Sequence, residues 1–283
     1  MRTLALSVLV LVALSGCSVI RTVYNQAEHL IAWRADDYFD LTDEQKRSLH
    51  ARFSALHAWH RSTQLHRYVS LLDTARRRLD DGPGPSDAAW TMATIREQSR
   101  ATLLHAHPDL VALLTTLTDA QLANASRRFE RDNRRFAKER GVGASAQEQR
   151  RLRAKRLLES IEHWSGPLDF QQQARIVALS EELPLDVAFR FHDRQRRQRD
   201  FLGVLELRRD PDRFSARLRE WLIDWDASRP ADMKIEASRY AEAHAVMLLR
   251  LYDVLRADQR RRISDRLRWY MEAMQDLSRD PRH

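Results

Sequence analysis

Apolar residues recur along this chain at steps of three and four: Leu65, Tyr68, Leu72, Ala75 and Leu79; Leu218, Trp221, Leu222 and Trp225; Ile263, Leu267, Tyr270, Met271 and Met274. Such a period lines one face of an α-helix. No stretch alternates convincingly with the period of two expected of a half-buried strand. Glycine and proline are scarce and gathered into breaks. The clearest is Gly82-Pro83-Gly84-Pro85, and others lie at Pro108, Gly141 to Gly143, Gly166-Pro167, Pro184, Pro211 and Pro230. The pattern predicts an all-α chain with helices near 20–37, 42–80, 86–106, 118–140, 145–163, 169–183, 185–208, 212–226, 231–253 and 257–278. An elongated antiparallel helical bundle is the expected arrangement.

A short pattern, Leu-x-x-x-Gln, heads four of these helices. It reads Leu41-Thr42-Asp43-Glu44-Gln45, Leu117-Thr118-Asp119-Ala120-Gln121, Leu168-Asp169-Phe170-Gln171-Gln172 and Leu255-Arg256-Ala257-Asp258-Gln259. Its physics is helix initiation: Thr or Asp accepts from the amide three residues on, Gln reaches back to the cap amide, and Leu staples onto the next turn. The fourth copy has Arg256 at the cap, which leaves the start of its helix open. Spacings of 76 residues within the first pair and 87 within the second leave open two related halves, 18–163 and 164–283.

The N-terminus changes the picture. Arg2 precedes an apolar run from Leu4 to Ala13, too short to span a bilayer, and the run ends in Leu14-Ser15-Gly16-Cys17. This is the pattern of a bacterial lipobox. Residues 1–16 are then a lipoprotein signal peptide, Cys17 is the lipidation site, and 17–283 is a mature, lipid-anchored helical body. Cys17 is the only cysteine, so lipidation leaves no thiol for disulfides, zinc-thiolate sites or nucleophilic catalysis. Ser18, not Asp, follows it; resemblance to Gram-negative lipoproteins implies the outer membrane, with the body facing the periplasm.

Charge then suggests the partner. The chain carries 48 Lys and Arg against 40 Asp and Glu, a formal +8, and the surplus is local. Between Arg127 and Arg156 twelve basic residues meet four acidic ones, while Arg190 to Arg199 adds five arginines against one aspartate. At a membrane surface the available anions are phospholipid headgroups, lipopolysaccharide phosphates and cell-wall carboxylates; nucleic acid is not expected there. Candidate anion-binding residues are Arg127, Arg128, Arg134, Arg135, Arg150, Arg151, Arg153 and Arg156. The competing reading is a solvated surface laced with ion pairs such as Glu130 with Arg134. Phe129 and Phe136, seven apart, mark the buried face of the first basic helix.

Catalytic and metal signals are weak. His50, His57, His60 and His66 share one predicted helix, but only His57 and His60 are one turn apart and no His-Glu-x-x-His exists. Asp36, Asp37 and Asp40 could suit an acid–base pair, yet carboxylates at a helix start are stabilised there without any catalytic duty. No glycine-rich phosphate loop is present. The expectation is a non-enzymatic protein without metal or cofactor, whose partners are the membrane and envelope proteins or anionic lipids.

The two Leu-Thr-Asp-x-Gln copies resemble the Leu-Thr-x-x-Gln motif of small periplasmic helical chaperones and stress sensors of the Spy and CpxP type. More of the chain resembles an uncharacterised family of Gram-negative helical lipoproteins. The residues carrying that likeness are Cys17, Tyr24-Asn25, Trp33, Asp36 to Leu41, Gln45, Trp59-His60-Arg61 and Trp164-Ser165-Gly166-Pro167-Leu168. The resemblances imply an envelope location, a helical fold and a chaperone-like or envelope-maintenance role, or else a structural adaptor on anionic envelope components. They imply no active site.

Overall fold

Every regular element in the computed structural model, which describes residues 20–224 and 226–279, is helical; the described residues contain no strand. Residues 1–16, read from the sequence as a signal peptide, and Cys17 lie outside the described residues. The helices are α1 (Ala27–Phe39), α2 (Asp43–Trp59), α3 (Leu65–Asp81), α4 (Pro85–Leu114), α5 (Asp119–Arg140), α6 (Ala146–Ser165), α7 (Phe170–Glu182), α8 (Val187–Glu206), α9 (Pro211–Ile223), α10 (Ala231–Val254) and α11 (Ala257–Arg279). Residues 20–25 are helical as well. No helix among the described residues is long and apolar enough to cross a membrane.

Capping explains where the helices begin. Thr42, Thr118 and Asp169 each accept from the amide of the glutamine three residues on, and Gln45, Gln121 and Gln172 each return a side-chain oxygen to the cap amide. The stapling leucines Leu41, Leu117, Leu168 and Leu255 are all buried. The fourth copy also heads its helix: α11 starts at Ala257, as the periodicity over 257–278 predicts. Gln259 Oε1 accepts from Arg256 N at 3.0 Å, so the returning half of the box forms although the cap residue has no acceptor.

Two other elements depart from the periodicity. Pro108 does not end a helix but sits inside α4, which runs on to Leu114. Proline removes one backbone donor and crowds the preceding turn. Here Ala106, Leu113 and Leu114 are buried around it and His107 Nε2 bonds Ser215 O at 2.9 Å, so packing outweighs the local cost. The predicted helix over 42–80 is interrupted by a π-turn, His60–Gln64, where Leu65 N bonds His60 O. The extra residue in that turn places Arg61, Gln64 and Leu65 all inside.

The chain divides into two compact units, residues 1–76 with 265–283, and residues 77–264. In the first, Leu41, Leu49, Leu65, Ala273 and Leu277 are buried, and α1 lies on α2, where Glu28 accepts from His50 and Ser54 at 2.9 Å each. In the second, Leu168, Ile176, Leu179, Leu183, Met247, Leu251, Val254 and Leu255 form one core cluster against which Leu157, Leu158, Ile161, Ala243 and Ile263 pack. Fully burying a leucine or isoleucine is worth about 1.5–3 kcal/mol, so this cluster is a main source of stability. Phe214, Leu218 and Leu205 are almost wholly buried where α9 meets α4 and α8.

Above that core the third and fourth motifs interlock across 87 residues. Gln172 Nε2 donates to Gln259 Oε1 (2.7 Å) and Val254 O (2.9 Å), while Gln259 Nε2 donates to Gln172 Oε1 (3.1 Å) and Pro167 O (2.8 Å). Arg256 completes the clasp by reaching Asp169 Oδ2 at 2.7 Å. Both buried amides are thereby satisfied, which removes the 1–3 kcal/mol penalty, roughly, of an unmet buried polar group.

Candidate anion-binding site

The basic stretch becomes a site through the packing of α5, α6, α8 and α10. Helix α5 ends at Gly141, whose φ of 71° is the left-handed conformation that closes a helix and lets the chain turn into α6. A side chain there would also collide with Leu152, 2.9 Å from an added Cβ. Phe136 stacks on Phe191 of α8 at 6.1 Å, and Phe129 meets Phe201 edge-on, so the aromatic pair marks the packed face of α5 as the spacing predicts. Arg140, at the end of α5, comes beside the middle of α6 and the start of α8.

A cavity of about 360 Å³ results. Arg140, Arg153, Arg156 and Arg190 line it with one carboxylate, Asp186, and with Ser160 and His244. Its apolar wall is formed by Phe136, Leu157, Leu183, Val187 and Met247, of which Leu183 and Met247 belong to the core cluster beneath. The volume suits a small ligand, and the combination of apolar wall and a few convergent polar groups is typical of ligand sites.

Each arginine is held differently. Arg153 donates to Ser180 O (2.7 Å), Leu183 O (3.0 Å) and Pro184 O (2.8 Å), covering carbonyls at and just past the end of α7, where Ser180 O also accepts from Leu183 N. Arg156 reaches Glu139 O at 3.5 Å, a marginal contact. Arg190 lies 3.5 Å from Asp186, which is itself buried. Arg140 stands over the Phe136 ring at 5.8 Å. Burial lowers the pKa of Arg153, and it lowers that of Arg156 together with repulsion from Arg140, Arg190 and Arg153. Both remain charged, because guanidinium pKa values lie far above neutrality. Four cations against one carboxylate therefore leave an uncompensated positive field. His244 Nδ1 bonds Tyr240 O at 2.7 Å, which fixes its proton on Nδ1 when neutral.

Of the eight arginines singled out from sequence, the structure brings Arg153 and Arg156 to this cavity. Arg128 and Arg135 serve the buried Asp132, at 3.6 and 2.9 Å. Arg127 and Arg134 are exposed on α5, and Arg127 reaches Asn124 at 3.4 Å. Glu130 and Arg134 make no ion pair among those described. Arg150 and Arg151 line a separate, larger and more open groove along α6 and α7 together with Glu159, Glu162 and Glu181, and Arg151 is held bidentately by Glu148 at 2.7 Å. Sequence reasoning left out Arg140 and Arg190 as ligands, although both fall in the basic runs it identified; nothing in the sequence marks Asp186 or His244.

The other candidates resolve into local structure. Asp36 accepts from Leu41 N at 2.9 Å and meets Lys46 at 3.0 Å, and Asp37 pairs with Arg34 at 3.4 Å. His50 bonds Glu28. His60 lies between Tyr24 and Tyr68 hydroxyls at 3.0 and 3.2 Å, beside Arg61, which donates to Asn25 Oδ1 and Leu277 O. Burial raises the Tyr24 pKa to about 12 and lowers that of His60, with His57 adding repulsion. No group of three or more His, Cys, Asp or Glu placed to hold a metal ion occurs among the described residues.

A sequence model of a family of unknown function, DUF6279, matches residues 37–234, well over half of the chain and most of the cavity's lining. No curated protein and no solved structure matches the chain.

Proposed function

The chain belongs to DUF6279, a family of unknown function, and from that premise we propose that it is a lipid-anchored periplasmic protein that binds anionic envelope components. Its ligand would be an anionic head, phosphate or carboxylate, joined to an apolar body. The observation that carries this reading is the cavity itself: four arginines and one carboxylate stand over an apolar wall. An anion would relieve the repulsion among Arg140, Arg156 and Arg190, and charge-assisted bonds to guanidinium are about twice as strong as neutral ones. The outer-membrane address rests on Leu14-Ser15-Gly16-Cys17 and Ser18 in the sequence. Binding is preferred over catalysis because Asp186 is the lone carboxylate of the lining and Arg190 stands against it.

The test is calorimetric titration of the protein with inorganic phosphate and with dodecyl phosphate. Both should bind, the alkyl phosphate more tightly, and Arg156→Ala with Arg190→Ala should weaken both by at least about tenfold, the scale of one lost charge-assisted contact. Absence of binding by either probe overturns the reading. Raised salt should weaken phosphate more than dodecyl phosphate, because screening acts on charge and not on apolar burial.

A second reading, an envelope chaperone, draws on the resemblance of the Leu-Thr-x-x-Gln motifs. It is favoured by exposed apolar side chains on two adjoining helices, Met92 and Ile95 of α4 and Ile235, Val246 and Leu248 of α10. It requires that the protein slow aggregation of an unfolding client without ATP and do so equally in high salt.

A further inference from the structure

The helical segment that follows Cys17 is packed on one side and apolar on the other. Its inner side is occupied: Tyr24 bonds His60, Asn25 accepts from Arg61, and Glu28 accepts from His50 and Ser54. Outward, Val23 is 54% exposed, Leu30 51%, Ile31 42% and Trp33 64%. Within α1, Ile31 lies about 100° to one side of Leu30 and Trp33 about 60° to the other. These three share one outward half of α1, and Val23 is exposed on the helical segment before Gln26.

Large apolar side chains gathered on one exposed face mark a contact surface. The occupant is indicated by position in the chain. Cys17 precedes Val23 by six residues, so even a fully extended connection holds Val23 within about 20 Å of the lipidated residue, and Trp33 lies about 15 Å farther along the helix. Trp33 has the amphipathic ring that settles at the headgroup level. Arg21 and Arg34, flanking these residues in sequence, are engaged within the protein, with Asp276 and with Asp37 and Tyr38.

We propose that Val23, Leu30, Ile31 and Trp33 form an interfacial face that lies on the bilayer to which the Cys17 lipid tethers the chain. This inference rests on the lipid-anchor reading. It adds that the body does not swing freely on its tether but is held to the membrane along one helix face.

The experiment uses the full chain carrying L30C, I31C or A55C, purified from membranes, labelled with a thiol-reactive fluorophore and reconstituted into phosphatidylethanolamine–phosphatidylglycerol vesicles containing nitroxide-labelled lipid. Ala55 is exposed and lies about 140° around α2 from His50, which faces α1. Fluorescence at positions 30 and 31 should be quenched about twofold or more beyond that at position 55, as expected for side chains at the headgroup level. Equal quenching at the three positions, with Cys17 acylated, overturns the interfacial face and leaves the anchor intact. Disulfide pairing of L30C between two chains assigns the face to a second copy and overturns it as well. Fluorophore labelling of Cys17 itself in every variant shows an unacylated thiol, and then the anchor reading fails and takes this inference with it.

Discussion

Helix α8 carries two arginine clusters less than two turns apart, and they behave in opposite ways. Toward its N-terminus Arg190 joins Arg140, Arg153 and Arg156 around a cavity with a single carboxylate. One turn on, Asp193 is enclosed by Arg196 (2.8 Å) and Arg229 (2.8 Å), and Arg196 also reaches Asp200 at 2.7 Å. The second cluster is a closed ion-pair network with its bonds made; the first holds surplus charge. By sequence alone Arg190 to Arg199 is a uniform basic run. Arg194 in fact bonds Asn133 and stands over Phe136, and Arg197 lies over Trp221, so much of the run is structural. Local charge counts thus overstate binding potential wherever acids on the same helix, here Asp193 and Asp200, or rings from other helices take up the guanidinium groups.

Breaking the closed cluster should cost most. Asp193→Ala leaves Arg196 and Arg229 facing each other in a buried setting, and denaturant unfolding should show a loss of about 3 kcal/mol. The same network predicts acid sensitivity. Burial pushes the Asp193 carboxyl up, but hydrogen bonds from Arg229 and Arg196 outweigh it and hold the pKa below the ordinary value. Its stabilisation is therefore complete above the unfolded pKa of about 3.9 and is lost as pH falls through the lower folded value. Asp193→Asn should lack that part of the acid transition, and a wild-type acid profile in this variant would show that the network is not the cause.

Filling the open cluster comes next in size. Dodecyl phosphate at a hundredfold excess over its dissociation constant should raise stability by about 2.7 kcal/mol, read as a higher melting temperature, and at the same concentration by about 1.4 kcal/mol or less in Arg156→Ala with Arg190→Ala. A smaller loss, about 1 kcal/mol, is expected for Thr118→Ala through its cap. The smallest effect is expected where the clusters differ most: Arg156→Ala without ligand should change stability by less than about 0.5 kcal/mol, since it removes repulsion along with packing. A loss as large as that of Asp193→Ala would make Arg156 a structural residue and erase the contrast.

The sequence by itself determined the helical class, the faces and most helix starts, because those depend on neighbours three and four residues away. Thr42 with Gln45, Thr118 with Gln121 and the buried side of Phe129 and Phe136 were legible for that reason. Tertiary structure decided what no local rule contains. Pro108 stays helical under the packing around it, the π-turn at His60–Gln64 resets the helix phase, and Gln172 meets Gln259 across 87 residues. It also decided which arginines remain surplus, since that depends on the rotation of each helix and on which distant groups meet it. Asp193 meets Arg229 across 36 residues, whereas Arg140, Arg156 and Arg190 converge on a cavity that gathers only Asp186.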